Sequence, residues 1–181
     1  GRRRRNDESR GAKELVQKLK HARHASEVRQ LLDEHELHIN VFVITTAIGK
    51  LRGFGESREA LRLFERTRAR GVDQNVATYS AAISACGRDW QKAHELFRDL
   101  RAAHMEPNIF TYGALMSACV KAGQWEAALE TFDELRRRGM EPNLSMYSAL
   151  ITACGKGGQW EKALDIFDDL QQRGLEPNVI T

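Results

Sequence analysis

Residues 109–143 read IFTYGALMSACVKAGQWEAALETFDELRRRGMEPN, and the next 35 residues, 144–178, repeat them as LSMYSALITACGKGGQWEKALDIFDDLQQRGLEPN. About 20 of the 35 positions are identical, far more than shared composition produces. Landmarks keep one offset: Tyr112 with Tyr147, Cys119 with Cys154, Trp125 with Trp160, and Pro142 with Pro177. A chain with such a period is built from units that each pack on their neighbours, so its core is a continuous ribbon.

Within the clearest copy, Tyr112, Leu115, Met116 and Cys119 recur at i, i+3, i+4 and i+7, which is one apolar face of a helix ending near Lys121. Ala122 and Gly123 break it, because glycine readily adopts the left-handed conformation that caps a helix. From Trp125 a second helix turns Ala128, Leu129, Phe132 and Leu135 inward, until Gly139 and Pro142 stop it. Each unit is therefore a helix-turn-helix hairpin, and neither helix buries its apolar stripe alone. The expected fold is all-α: a right-handed α-solenoid, or superhelix, of stacked 35-residue hairpins with the first helices on its concave surface. The second helices carry Glu130, Asp133, Glu134, Arg136, Arg137 and Arg138, which read as a solvated outer face.

Counting outward gives the other units. Residues 41–75 form a full repeat, with Ala60, Leu61, Phe64 and Gly71 in the places of Ala128, Leu129, Phe132 and Gly139, and Gln74 in place of the proline. Residues 76–108 form a shorter one, because ACGRDWQKA lacks two residues of ACGKGGQWEKA in the turn between helices. Leu15, Val16 and Leu19, then Val28, Leu31 and Leu32, mark 12–40 as a degenerate N-terminal helical repeat. The stretch 1–11, GRRRRNDESRG, has no periodicity and reads as a disordered basic arm. Residues 179–181 restart the pattern of 76–78 as a truncated next repeat, and position 1 is not methionine, so a fragment of a longer array is expected.

The formal net charge is +3, and the four arginines at 2–5 exceed it, which leaves the remainder close to neutral. An anionic partner must then meet a local basic stripe and not a general field. No apolar run approaches the length of a membrane span, so no membrane partner is expected.

Cys86, Cys119 and Cys154 sit at one position of three successive units. Stacked hairpins set equivalent positions about 9–10 Å apart, too far to share a metal or a disulfide, so small core residues are expected. His21 with His24 and His35 with His38 have helical spacing without a repeating Cys or acidic partner, and His94 and His104 stand singly. Trp90, Trp125 and Trp160 open the second helices, where packing on the neighbouring repeat is the expected role. There is no nucleophile elbow and no phosphate-cradling glycine loop. Neither an enzyme nor a cofactor or metal is expected.

The run TYGALMSACVKAGQWEAALETFDELRRRGMEPN resembles a pentatricopeptide repeat in its period, its aromatic-bearing first helix, its EAAL-x-x-F second helix and its closing G-x-x-P-N. The resemblance extends over 41–178. It implies single-stranded RNA as the partner, read at one base per repeat by the fifth and last residues, with the second residue packing on the base faces. The base-reading pairs are then Thr45 with Asn75, Ser80 with Asn108, Gly113 with Asn143, and Ser148 with Asn178. The base-packing residues are Phe42, Ala77, Phe110 and Ser145, and Arg88, Lys121 and Lys156 contact phosphates, a stripe interrupted at Gly53. A hydroxyl at the fifth position implies a purine and a final Asn implies adenine, so the expected target is A-rich and runs 5′ to 3′ along the chain from N- to C-terminus. Gly113 is expected to be permissive. The resemblance further implies a monomer acting in organellar RNA processing, stability or translation, in mitochondrion or plastid, with possible protein partners of the full-length parent. Two alternatives stay open from the residues alone: the asparagines serve only as helix caps, or the array is a tetratricopeptide-like scaffold that binds protein.

Overall fold

The computed structural model describes residues 2–175, with side chains described from Arg10 onward. Asn178 and the restart at 179–181 lie outside the described residues. Among the described residues there are ten α-helices, one 3-10 turn and no strand. They divide into two compact units, Gly1–Cys86 and Gly87–Thr181. The division falls inside the shortened turn of the 76–108 repeat, where the sequence period alone places no boundary.

In the first unit, α1 (Arg2–His21), α3 (Val41–Gly53) and α5 (Val76–Ala85) pack in succession. Helices α2 (Ala25–Glu34) and α4 (Ser57–Ala69) fill the second row, and a 3-10 turn at Glu36–His38 rests on α1. In the second unit, α7 (Ile109–Ala122) closes on α8 (Trp125–Arg137), and α9 (Leu144–Lys156) closes on α10 (Trp160–Gln172). Helix α6 (Trp90–Ala102) packs on α7, α7 on α9, and α8 on α9. Each unit is thus stacked as the repeats of an α-solenoid are.

The stretch expected to be a disordered arm is instead the beginning of α1, which runs from Arg2. Arginine and glutamate are good helix formers, and the buried turns around Leu15 and Leu19 supply a nucleus, so extending the helix upstream fixes one residue per added bond.

The first helices from α3 onward begin in the same way. Asn40, Asn75, Asn108 and Asn143 have extended backbones, and each accepts a backbone N–H of the first turn through Oδ1. At Asn108 the arrangement is a full capping box with Thr111. The opposite end of α7 closes on Gly123 at φ 77°, the left-handed cap foreseen from Ala122 and Gly123. The second helices end in a left-handed glycine at Gly71, Gly139 and Gly174, but His104 takes that conformation in the 76–108 repeat, at φ 56°.

The cysteines are buried and free, and Tyr112, Leu115, Met116, Ala128, Phe132 and Leu135 are buried as the periodicity requires, with Leu129 only half-buried. What joins one repeat to the next is an aromatic contact. Phe64 of α4 meets Tyr79 of α5 edge-on at 5.1 Å between ring centres and 71°. Phe97 meets Tyr112 at 5.2 Å and 62°, and Phe132 meets Tyr147 at 5.0 Å and 77°. The phenylalanine always comes from a second helix and the tyrosine from the following first helix. Such edge contacts place the positive ring edge on the negative face and add to the area buried.

In the second unit the tyrosine hydroxyls extend this contact into a polar knot. Tyr112 donates to Glu134 at 3.1 Å and Tyr147 donates to Asp169 at 2.6 Å. Glu134 also accepts from Arg101 at 3.2 Å and Arg138 at 3.3 Å. Asp169 is paired with Arg136 at 3.1 Å and Arg173 at 3.2 Å. The outer charges are therefore not all solvent-facing decoration: half-buried Glu134, with Arg136 and Arg138, ties neighbouring repeats together. Trp125 packs on the next repeat, where a Cβ at Gly157 would run into its indole, and Lys162 sits over the ring at 4.3 Å.

Burial by itself would raise the Asp169 carboxyl, but the Tyr147 hydroxyl and the Arg173 and Arg136 guanidinium groups outweigh it and hold the group below its ordinary range. A carboxyl depressed in the folded state stabilises fully above its unfolded value of about 4 and loses that contribution as pH falls through the folded value. Asp169→Asn should therefore cost about 1–2 kcal/mol at pH 7, and chemical denaturation curves repeated toward pH 3 should show the difference from the parent chain shrinking. A difference independent of pH would contradict this account. Phe132→Ala, which removes an aromatic contact and leaves a cavity, should cost about 3–5 kcal/mol in the same measurement.

Candidate nucleic-acid interface

Each capping asparagine starts a turn of first helix whose next residues have distinct surroundings. The second residue of each repeat points to solvent: Phe42 is 69% and Phe110 76% exposed, and Ala77 and Ser145 are exposed too. Large exposed aromatics at a repeating position have no folding role to explain them. They offer faces on which a flat ring can stack.

The fifth residues are half-buried, and their hydroxyls bond back into the helix. Thr45 donates to the Val41 carbonyl at 2.7 Å, Ser80 to Val76 at 2.7 Å, and Ser148 to Leu144 at 2.9 Å. The hydroxyl hydrogen is thereby committed to the helix, so each of these oxygens can act toward a further group only as an acceptor. Thr45 and Asn75 are brought together through Thr78, whose hydroxyl lies 2.8 Å from that of Thr45 and 3.0 Å from Asn75 Oδ1.

The asparagines have the converse chemistry. Asn75 Oδ1 accepts from Thr78 N at 2.9 Å, Asn108 Oδ1 from Thr111 N at 3.0 Å, and Asn143 Oδ1 from Met146 N at 3.0 Å. Capping consumes the carbonyl end of each amide and leaves the NH2 end as a pair of donors. Capping and base contact are thus compatible, because they use opposite ends of one side chain.

Gly113 lies beside Asn143 through Met146: a Cβ on Gly113 would meet only Met146 Cε, at 3.9 Å. Ser80 lies in the first unit and Asn108 in the second, each described within its own. Ser148 is placed as above, and its partner Asn178 is outside the described residues.

Lys121 and Lys156 are exposed in the last turns of α7 and α9. Arg88 is exposed as well, but it does not end a helix as its register suggests: α5 stops at Ala85, and Arg88 lies in the turn that lost two residues. Gly53 ends α3 without a side chain, and nearby Lys50 is bonded to the Ala22 carbonyl at 2.9 Å, which keeps it from substituting. Asn40, which the base-reading pairs leave out, caps α3 as Asn75 caps α5. Its signal was the 35-residue offset from Asn75.

The remaining chemistry-bearing pair does not look reactive. Cys119 Sγ lies 3.5 Å from His94 Nε2. Burial pushes the Cys119 thiol up to about 11, and burial together with Arg98 lowers His94, so the pair is thiol and neutral imidazole at physiological pH and not an ion pair. Among the described residues no cluster of three or more His, Cys, Asp or Glu could hold a metal ion, and no helix is long and apolar enough to cross a membrane.

Comparison with known proteins agrees with this repeat geometry. Residues 95–157 match the model of the pentatricopeptide repeat domain, and 142–181 match that of the PPR repeat family. The fold is similar to the pentatricopeptide repeat protein PPR10 solved with an 18-nt psaJ RNA element, at TM-score 0.75 and 32% identity over 87% of this chain. It is similar also to PPR10 from maize, at TM-score 0.67 and 28% identity over 91% of this chain. In both cases the present chain spans 24% of the other protein's length. The PPR domain of Arabidopsis thaliana protein-only RNase P 1, solved with tRNA, shares the fold at TM-score 0.76 and 13% identity, over 94% of this chain and 91% of that one. No curated protein sequence matches the chain. The two family models, matching 95–157 and 142–181, and the likeness to solved pentatricopeptide repeat proteins identify the chain as a pentatricopeptide repeat protein.

Proposed function

We propose that the chain binds single-stranded RNA, one base per repeat, with a preference for adenine-rich sequence. The observation that supports this most is the division of labour at Thr45 and Asn75: a hydroxyl oxygen left as acceptor beside an amide left as donor. A base edge complementary to that pair carries an amino group next to a bare ring nitrogen. Adenine offers N6–H2 and N1 in that order, and cytosine offers N4–H2 and N3. Guanine and uracil put a carbonyl where the amino group is needed. The family's purine preference at a hydroxyl-bearing fifth residue then selects adenine over cytosine.

Phe42 and Phe110 would stack on the bases they flank, and Arg88, Lys121 and Lys156 would meet the phosphates. Gly113 contributes no group, so the base facing Asn143 would be weakly specified. The PPR10 complexes concern an RNA element, which favours the same ligand class here. In this reading the chain is a binding module acting as a monomer without a cofactor, and its family membership points to transcripts of mitochondrion or plastid.

Titrating the chain with A-rich, U-rich and C-rich oligonucleotides should give the tightest binding to the first. With three basic contacts the slope of log K against log salt should be about −2, and Lys121→Ala should reduce it by about 0.7. Equal binding, or none, to all three sequences would favour a protein-binding scaffold and remove the base-reading claim.

The third site gives a sharper test. Asn143→Asp keeps a good helix cap but turns the outward group from donor to acceptor. Gly113→Ser adds a hydroxyl where there is room for it. The double variant should fold normally by circular dichroism and should give the weakly specified third site a preference for guanine of about 1–3 kcal/mol. An unchanged preference would show that this pair does not read the base.

A further inference from the structure

Between α2 and α4, on the second-helix row of the first unit, lies an open groove of about 610 Å³. Arg58, Arg62 and Arg66 line it from α4, and all three are exposed. They recur every four residues, so they stand in one row along the helix, with a rise of about 6 Å from each to the next.

The row departs from the rest of the array. Aligned on Phe64, Phe97, Phe132 and Phe167, the same three places hold Gln91, Glu95 and Asp99 in α6. They hold Glu126, Glu130 and Glu134 in α8, and Glu161, Asp165 and Asp169 in α10. None of those places holds a basic residue, so the hairpin does not call for arginine there. At the third place the acid has a packing duty in later repeats, since Glu134 and Asp169 accept from Tyr112 and Tyr147. Ile44 stands where those tyrosines stand, so Arg66 leaves no hydroxyl without its acceptor.

The carboxylates of the groove do not neutralise the row. Glu59 is taken by Arg29 of α2 at 2.6 and 2.7 Å, and Arg29 also reaches Glu56 at 3.9 Å. Arg62 and Arg66 act on Glu59 only through space. Among the described residues Arg58, Arg62 and Arg66 form no ion pair, and Asp33 on the α2 wall is the one lining carboxylate without one. Beneath them Leu32, Leu51 and Leu63 are each at most 5% exposed, and no aromatic side chain lines the groove.

We propose that this groove is a second, sequence-independent RNA contact, in which Arg58, Arg62 and Arg66 hold the phosphate backbone of the strand flanking the base-reading tract. The inference rests on the RNA reading above, which supplies the ligand and its direction. Helix α4 belongs to the first full repeat, which takes the base at the 5′ end, so the strand that reaches the groove is the 5′ flank. Guanidinium groups bind phosphate oxygens through paired N–H donors, and with no stacking surface beside them nothing distinguishes one base from another. A polyanion is favoured over an acidic protein because each phosphate contact releases condensed counterions, whereas an exposed ion pair with a protein carboxylate adds little affinity.

The test uses the whole chain and fluorescence anisotropy with an adenine tetranucleotide, bare, with a long 5′ flank of uridines or of cytidines, or with a uridine flank at its 3′ end. Either 5′ flank should tighten binding about tenfold at low salt, and a fourfold rise in salt should remove the gain, because three phosphate contacts add about −2 to the slope of log K against log salt. The 3′ flank should give no such gain. Arg58→Gln, Arg62→Gln and Arg66→Gln together should abolish the gain while leaving bare-tract affinity and melting temperature unchanged. Glutamate at the three places, which α8 already carries, should do the same. A gain that is absent, that depends on flank sequence, that a 3′ flank supplies equally or that survives the substitutions would overturn the groove and leave the proposed function standing. Polyglutamate bound through the same arginines as tightly as the flank would assign the groove to an acidic protein instead. Flanked strands that bind while no bare tract does would remove the base-reading claim and keep the groove; no binding of any strand would overturn both.

Discussion

The edge-on contact between a second-helix phenylalanine and the tyrosine of the following first helix is the constraint on which the other features depend. It occurs at Phe64 with Tyr79 in one unit, and at Phe97 with Tyr112 and Phe132 with Tyr147 in the other, with centre distances that agree within 0.2 Å. A solenoid has no single core to average out errors, so each junction must fix its own pitch. Rigid rings meeting at one geometry do so better than aliphatic side chains, which repack among several arrangements. The tyrosine follows the capping asparagine by four residues and directly precedes the fifth residue of the repeat. Whatever sets the ring therefore sets the spacing of the groups that face a ligand.

In the proposed function, folding and recognition would share the same asparagines without competing for them. The carbonyl oxygen ends the helix and the NH2 group faces outward, so the two demands fall on different atoms. Aspartate at these positions would preserve the cap and reverse the outward hydrogen-bonding character. Specificity can thus vary from repeat to repeat at little cost in stability. A cap supplied by serine or threonine would not allow this, because a single hydroxyl oxygen would have to serve both purposes.

The 35-residue period made the hairpins, the buried cysteines, the Gly123 cap and the repeating Asn positions readable from sequence, because each is local to one repeat or recurs at a fixed offset. Features that depend on packing between repeats were not readable. Glu134 looked like a member of a solvated charged face, since nothing in a list of charges shows that Arg101 of the preceding repeat reaches it at 3.2 Å, or that the Tyr112 hydroxyl of its own repeat donates to it. Counting register put Arg88 at a helix end, but the two-residue deletion shortens α5 and leaves the arginine in the turn. The polar composition of 1–11 suggested disorder, whereas continuation from a buried helical nucleus governs that segment. The candidate site was legible as positions. Which end of each amide is spent on folding came only from the hydrogen bonds.

Gly113 shows how the structure separates the two kinds of demand. Glycine within a helix costs about 1 kcal/mol relative to alanine, and such a residue usually persists where a neighbour approaches too closely for a side chain. Gly157, which follows the last residue of α9, shows such a close approach, because the Trp125 indole occupies the space its Cβ would need. Gly113 does not, since a Cβ there would touch only a methionine methyl at ordinary contact distance. Its φ is also an ordinary helical one, so backbone conformation does not call for glycine either. With packing and conformation both removed as reasons, the consequence that remains is on the solvent side: the site next to Asn143 lacks the hydroxyl that Thr45 and Ser148 provide. In the proposed function, the repeat with the most complete set of folding landmarks would say least to a base, and nothing in the packing around Gly113 requires it to be so.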